Sequence, residues 1–561
     1  MNKNISRIYL ENQNNEFVYN KKKLKLSISF NRIAFIFFIF FIVVLIYSIH
    51  LVHLGSRKLN TENITKSIPP DNILYRADII DRNNNYIVKT VSSIDIGIST
   101  KKVIDTKKLI LNLKYIFPNK NYSEIETKLK NKNFFYFEKK ISEENYEKIM
   151  QLGDKSIQPE ERLTRVYPEK NLFSHIIGQI DDSNNGISGL EKSLDIDLKN
   201  IKKPIKLTVD KDIQYLVRKE LLKYNQIFSA KGSASILMNI NNGEIISIVS
   251  LPDFDPNQRI RIDDENFINR ATKGVYELGS VFKTFTLAAA LNEKLIEPES
   301  EFVDLPKSLP CSGFTIREYD DKIPTTLTAE QILIRSGNIG SVRIGQLLGV
   351  EKFKIFLNKI GVLGKLNFDI EEVGTPLDFK WGKCKLATVS YGHGVTTTLL
   401  QLAKAYSIIT NGGYNVEPTL IKNKEANKKQ ILNKSVSEKI LPILRKIVTT
   451  KEGTASLANV FGYEIGGKTG TAQKSTLGGY SRNKINTFIS VFPTSNPKYV
   501  LAVMLDEPKT NKDYIYNYRD GSNIKFKGTP FNTAGWTSVE VTGQIVDKIG
   551  PILATKYSEE Y

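Results

Sequence analysis

Cysteine, histidine, methionine and tryptophan are all scarce in this 561-residue chain: two, four, four and two residues respectively. Two cysteines, Cys311 and Cys384, exclude a disulfide scaffold, and a cysteine-only zinc site is excluded with it. They lie too far apart for a C-x-x-C redox pair. They suit either one bridge outside the cytoplasm or two separate buried thiols. His50, His53, His175 and His393 leave little room for a histidine-built metal centre. Low-complexity tracts and internal repeats are missing too. With 41% hydrophobic and 25% charged residues the composition is that of globular domains, and the length suits two or three of them. The net charge of +19 (79 Lys+Arg against 60 Asp+Glu) fits solvated lysine-rich faces and selects no nucleic-acid partner.

One long uncharged run is present. Ile33 to Tyr47 reads IAFIFFIFFIVVLIY and continues with polar interruptions to Leu54. Those 22 residues would extend about 33 Å as a helix, enough to cross a bilayer core. A cleaved signal peptide would have a shorter apolar region and a small-residue cleavage site, and HLGSRKLN offers none. Lys21, Lys22, Lys23, Lys25 and Arg32 precede the run, against Arg57, Lys58 and Lys66 after it. That bias predicts a cytoplasmic tail over 1–32, an anchor over 33–54 and the rest of the chain outside. Residues 56–75 read as a linker.

Beyond the linker, YRADIIDRNNNYIVKTVSSIDIGIS (75–99) alternates as strands do, and residues 103–155 read as helical. Asp210 is a candidate N-cap for a helix over Leu207 to Leu222. From about residue 231 glycine becomes frequent, and SASILMNI and EIISIVSL read as a hairpin turning at Asn241-Asn242-Gly243. The expected layout is a non-catalytic module over 55–225, a second module over 226–555 and a short tail over 556–561.

Three short patterns in the second module carry chemistry. Ser280 and Lys283, in ELGSVFKTFTLAAAL, sit at i and i+3 on one helix face. A serine hydroxyl attacks poorly until a base takes its proton, and a buried lysine can be that base. Ser336-Gly337-Asn338 lies between two apolar helical runs, as a tight turn. There Ser336 could pass a proton and Asn338 could hold an amide. Lys468-Thr469-Gly470-Thr471, after Gly466-Gly467, precedes the apolar strands INTFISVF and KYVLAVML. Glycines let another backbone approach a strand edge, and the Lys and Thr side chains donate to a carboxylate. Lys468 would also add positive charge near Lys283.

The order S-x-x-K, S-x-N, K-T-G, with the flanking words RADIIDRN, LTRVYPEKNLFSHIIGQI, GVYELGSVFK, SYGHGVTTTLLQLAKAYSIITNGG and GGKTGTAQK, resembles the class B penicillin-binding proteins, most closely their division-specific transpeptidases. Ala77 departs from the family pattern, which has Gly after Arg76. The resemblance implies a multidomain chain. One transmembrane helix is followed by an α+β pedestal of the dimerisation type and then an α/β transpeptidase domain. That domain has a central antiparallel sheet flanked by helices, as in serine β-lactamases, and no glycosyltransferase region precedes the pedestal.

It also implies roles. Ser280 acylates on a D-Ala-D-Ala stem peptide with Lys283 as base and Ser336 as relay. Asn338 holds the substrate amide. Lys468, Thr469, Gly470 and Thr471 form the carboxylate- and oxyanion-binding strand. β-Lactams would acylate Ser280 the same way, and the resemblance implies no metal or organic cofactor. Implied partners are peptidoglycan stem peptides on lipid-linked nascent glycan, an FtsW-type glycan polymerase and other division proteins, at the septum of the cytoplasmic (inner) membrane. The elongation-specific enzyme, a carboxypeptidase or β-lactamase, and a non-catalytic sensor or scaffold are the alternatives. His393 reads as a supporting loop residue, because Lys283 already fills the base role. Glu371 and Glu372 read as surface charges.

Overall fold

The structure is a computed structural model, described here for residues 16–19, 22–25, 27–56, 75–258, 263–422, 429–476 and 479–557. It divides into two units, 1–73 and 74–561.

In the first unit, Glu16–Tyr19 and Lys22–Lys25 pair as an antiparallel hairpin. Ser27–Ser56 form a 30-residue helix. Its side chains are described over 35–51, where all are exposed and nearly all are large and apolar, Phe35 to Tyr47 among them. Among the described residues no helix is long and apolar enough to cross a membrane. Both ends of the expected 33–54 span lie outside the described side chains. Most of the expected 1–32 tail and 56–75 linker lies outside the described residues altogether.

The second unit holds two hydrophobic cores. The smaller one gathers Ile96, Ile98, Leu109, Leu113, Ile125, Phe135, Phe137, Ile149 and Ile157. It forms where the long Tyr86–Ser99 strand pairs antiparallel with Ile157–Val166 and Phe134–Glu138. The expected helical stretch over 103–155 is therefore three helices, Thr106–Ile116, Tyr122–Asn131 and Glu143–Met150, interrupted by a strand. FFYFE has the aromatic content that favours a pleated, half-buried surface, and this overrides the surrounding Lys/Glu helix signal.

At the other end of the same long strand, Arg76 and Arg165 converge on Glu191. Arg165 Nε donates to Glu191 Oε1 at 2.8 Å, and Arg76 Nη1 donates to Asp195 Oδ1 at 2.7 Å. Ala77 beside them is fully buried.

The larger core is organised by a five-stranded antiparallel sheet. Its order is Gly466–Thr476, Gly479–Phe492, Tyr499–Asp506, Gly232–Asn239, Ile245–Leu251. The last two strands are the expected hairpin, and GSASILMN and IISIVSL are buried along their whole length. Near-continuous apolar runs of this kind belong to strands covered on both faces. Lys211–Ile227 and Ser538–Lys556 pack together on one side, and Phe282–Asn292 and Leu399–Thr410 lie in the same core. Asp210 caps the first of these helices through Ile213 N, as its position predicted.

Several polar contacts join the pedestal to this core. Arg82 reaches Glu244 at 3.0 Å, and Asn171 reaches Asp253 at 3.1 Å. Glu372 belongs with them: it is half-buried and accepts the Gly189 N–H at 3.0 Å, so it is an inter-module tie and not the surface charge expected. Glu371 stays exposed, paired with Lys192. Cys311 and Cys384 form a disulfide, resolving the two alternatives the sequence left open.

Candidate active site

All three patterns reach one place. Ser280 sits in a single 3₁₀ turn, Gly279–Val281, that runs into the helix Phe282–Asn292. The expected shared helix face is thus a turn carrying Ser280 followed by the first helical turn carrying Lys283. Gly279 takes φ +67°, a left-handed conformation that glycine adopts without steric cost. Tyr406, fully buried, holds this turn by donating its hydroxyl to the Val281 carbonyl at 2.8 Å.

Ser336 sits between the helices Ala329–Ile334 and Asn338–Lys359 with φ 57°, strained for a non-glycine residue. Lys468, Thr469, Gly470 and Thr471 lie on Gly466–Thr476, which is an edge of the sheet. A Cβ at Gly470 would collide with the Leu278 carbonyl oxygen, so only glycine lets the edge strand lie against the Ser280 turn.

The polar centre is tightly connected. Lys283 Nζ donates to Asn338 Oδ1 at 2.7 Å, to Ser336 Oγ at 3.2 Å and to the Ser336 carbonyl. Lys468 Nζ donates to the same Ser336 Oγ at 2.9 Å and to the Thr469 carbonyl at 3.1 Å. Both lysines are buried, at 1% and 0% exposure, and no bond here joins either to a carboxylate. Burial therefore pushes Lys283 down to about 7, with the Glu318 carboxylate opposing it. Lys468 is lowered well below its ordinary value, by burial and then by the nearby Lys283. An amine near 7 is a competent base at neutral pH, and an ordinary surface lysine is not.

The open side is a cleft of about 1030 Å³ lined by Ser280, Ser336, Asn338, Thr469, Thr471 and His393. Lys283, Lys468 and Gly470 are not on its wall. Lys468 thus lies behind the cleft, donating to Ser336 and the Thr469 carbonyl, while Thr469 and Thr471 line the space. Thr469 Oγ1 is 2.7 Å from Thr454 Oγ1, and Thr471 Oγ1 accepts the Ala534 N–H at 3.0 Å.

Two contributors carried no motif. Glu318 accepts the N–H groups of Asn338 and Ile339 at 2.6 and 2.8 Å, which caps the helix that carries Asn338. Tyr406 is the other. Neither has a short-range signal, because each partner is at least 20 residues away. Among the described residues no group of His, Cys, Asp and Glu could hold a metal ion.

Residues 233–522 match the penicillin binding protein transpeptidase domain. The chain belongs to the penicillin-binding protein transpeptidase family. Residues 74–225 match the penicillin-binding protein dimerisation domain. A "probable peptidoglycan D,D-transpeptidase FtsI" of Caulobacter vibrioides is 26% identical, with 86% of this chain and 82% of the relative covered. The "peptidoglycan D,D-transpeptidase FtsI" of Buchnera aphidicola is 30% identical over 75% of this chain and 81% of that one. A "probable peptidoglycan D,D-transpeptidase PenA" of Neisseria gonorrhoeae is 30% identical, covering 69% and 71%. Crystal structures of penicillin binding protein 3 from Mycobacterium tuberculosis, complexed with aztreonam or ampicillin, share the fold. Their TM-scores are 0.63 and 0.64 at 22% identity; both cover 85% of this chain, and 96% and 95% of theirs.

Proposed function

We infer that this chain is a membrane-anchored D,D-transpeptidase that cross-links peptidoglycan stem peptides during septal wall synthesis and is acylated by penicillins. The observation that carries the reading is Ser280 on a cleft backed by two buried lysines that share Ser336 and make no bond to a carboxylate.

The chemistry follows from that arrangement. Lys283, neutral, takes the proton of Ser280 as its oxygen attacks the carbonyl between two D-Ala residues. Ser336 passes the proton to the departing D-Ala amine as the C–N bond breaks. The N–H groups of Ser280 and Thr471 stabilise the oxyanion. Thr469 and Thr471 bind the terminal carboxylate directly, and Lys468 contributes from behind as a donor to Ser336. Asn338 holds the substrate amide. An amine from a second stem peptide then resolves the acyl-enzyme.

The septal assignment is supported by the relatives named FtsI. The anchor is supported by the apolar run at 33–54 and its basic upstream flank, and the Cys311–Cys384 bridge fits an extracytoplasmic catalytic domain. An FtsW-type glycan polymerase is the membrane partner this layout calls for.

Intact-mass analysis of the full chain with benzylpenicillin tests the chemistry. A stable one-to-one adduct on the wild type, absent from Ser280→Ala, is expected. An adduct that persists on Ser280→Ala would overturn the assignment. Depletion in cells tests the septal role: filaments support it, and swollen round cells would reassign the enzyme to elongation.

A further inference from the structure

The wall of the cleft carries a second titratable group that the acylation step does not use. Lys383–Ser390 is a helix that ends at Tyr391-Gly392-His393, and a Cβ at Gly392 would collide with the Gly279 carbonyl. This backbone is therefore pressed against the residue preceding Ser280. His393 and Tyr391 both line the cleft with Ser280.

The imidazole is held from three sides. It stacks on Tyr391 with ring centres 5.9 Å apart and planes 10° apart, and lies tilted by 32° against Tyr480 at 4.7 Å. Its Nδ1 faces Glu277 Oε2 at 3.7 Å. Glu277 is itself fixed, accepting the Gly394 N–H at 2.9 Å and the Tyr480 hydroxyl at 3.0 Å. Glu277 is thus the carboxylate beside Nδ1, and Nε2 has no hydrogen bond among the described residues. An imidazole oriented by a carboxylate, with its far nitrogen on a reaction space, is the arrangement of a general base.

We propose that His393 is the base for the acceptor half of the reaction, taking a proton from the primary amine that attacks the acyl-Ser280 carbonyl. This rests on the transpeptidase reading above. As the amine nitrogen bonds to the carbonyl carbon, its proton passes to His393 Nε2. The bond from that carbon to Ser280 Oγ breaks. Oγ takes a proton from cleft water by way of Lys283, which acylation left neutral, and His393 returns its proton to that water. The division of labour has a physical reason: Lys283 and Lys468 lie behind the cleft and both donate to Ser336, whereas His393 is on its wall.

The charged and titratable groups facing His393 are Glu277, Lys385, Tyr391 and Tyr480. Burial lowers the imidazole, Glu277 opposes this, and Lys385 adds to it. The ring is thus unprotonated and able to accept a proton at neutral pH.

The test uses the full chain in detergent with a D-Ala thioester donor. His393→Gln keeps a planar polar side chain and removes the base. Penicillin acylation of this variant should fall far less than its aminolysis, and a full-occupancy adduct shows that it folds. Aminolysis by D-alanine should fall about 100-fold. Hydroxylamine, whose nitrogen is largely unprotonated at neutral pH and a strong nucleophile, should recover most of that loss. Glu277→Gln should lose about tenfold in aminolysis through misorientation of the ring. Unchanged aminolysis in His393→Gln, an equal fall with both acceptors, or acylation falling in step would overturn the proposal. Failure of the wild type to form any penicillin adduct would instead refute the transpeptidase reading, and the proposal with it.

Discussion

Arg76 and Arg165 are buried in the pedestal, and Lys283 and Lys468 are buried beside the cleft. Each pair converges on one residue, but the residues differ. The arginines meet a carboxylate, Glu191, which is fully buried and bonded to both. The lysines meet a hydroxyl, Ser336. A buried cation with a carboxylate keeps its charge, and Arg76 is raised above its ordinary value by Glu191 and Asp195 despite desolvation. A buried cation with only neutral acceptors sheds its proton, and Lys283 is lowered. The same fold therefore uses buried positive charge as a fastener in one module and as a source of a free amine in the other. Residue type follows: guanidinium suits permanent charge and bidentate pairing, whereas an ammonium shifts its pKa readily.

The comparison can be broken by mutation. Lys283→Met should lower penicillin acylation by about 10²–10⁴-fold, measured by stopped-flow, with thermal stability unchanged or raised because no ion partner is stranded. Glu191→Gln should do the reverse. It leaves the buried Arg165 without a carboxylate and Arg76 with Asp195 alone, and should cost about 3–5 kcal/mol in denaturant unfolding, while the folded fraction acylates normally. Similar stability losses in both variants would contradict the distinction. Gly470→Ala pushes the edge strand off the Ser280 turn. It should cost about 1–3 kcal/mol and slow acylation, since it displaces both the turn and the strand. The smallest effect is on stability against pH. Lys283 binds a proton more weakly folded than unfolded, so its contribution to stability rises from about pH 7 toward the ordinary lysine range. Lys283→Met should flatten that rise.

Much of this site was legible in the chain because its residues sit in short patterns: Ser280 with Lys283, Ser336 with Asn338, and the glycines that flank Lys468. The hairpin after residue 231 was legible because its strands are continuously apolar. What escaped is long-range. Glu318 caps its helix across 20 residues, and Glu191 meets Arg76 across 115. No local pattern marks either. Glu372 looked like a surface acid until its partner at Gly189 was in place. The strand Phe134–Glu138 was hidden inside a helical charge pattern, and only its pairing with the Tyr86–Ser99 strand decides it. Lys468 was expected at the substrate carboxylate, and its depth behind the cleft depends on how the edge strand packs.

The most direct test of the account is the pH dependence of the penicillin acylation rate of the full-length protein. A free, buried lysine amine as base predicts a rate that falls on the acid side with a midpoint at about pH 7. A rate that stays flat from about pH 5 to 9, or that rises only near the ordinary lysine range, would contradict it.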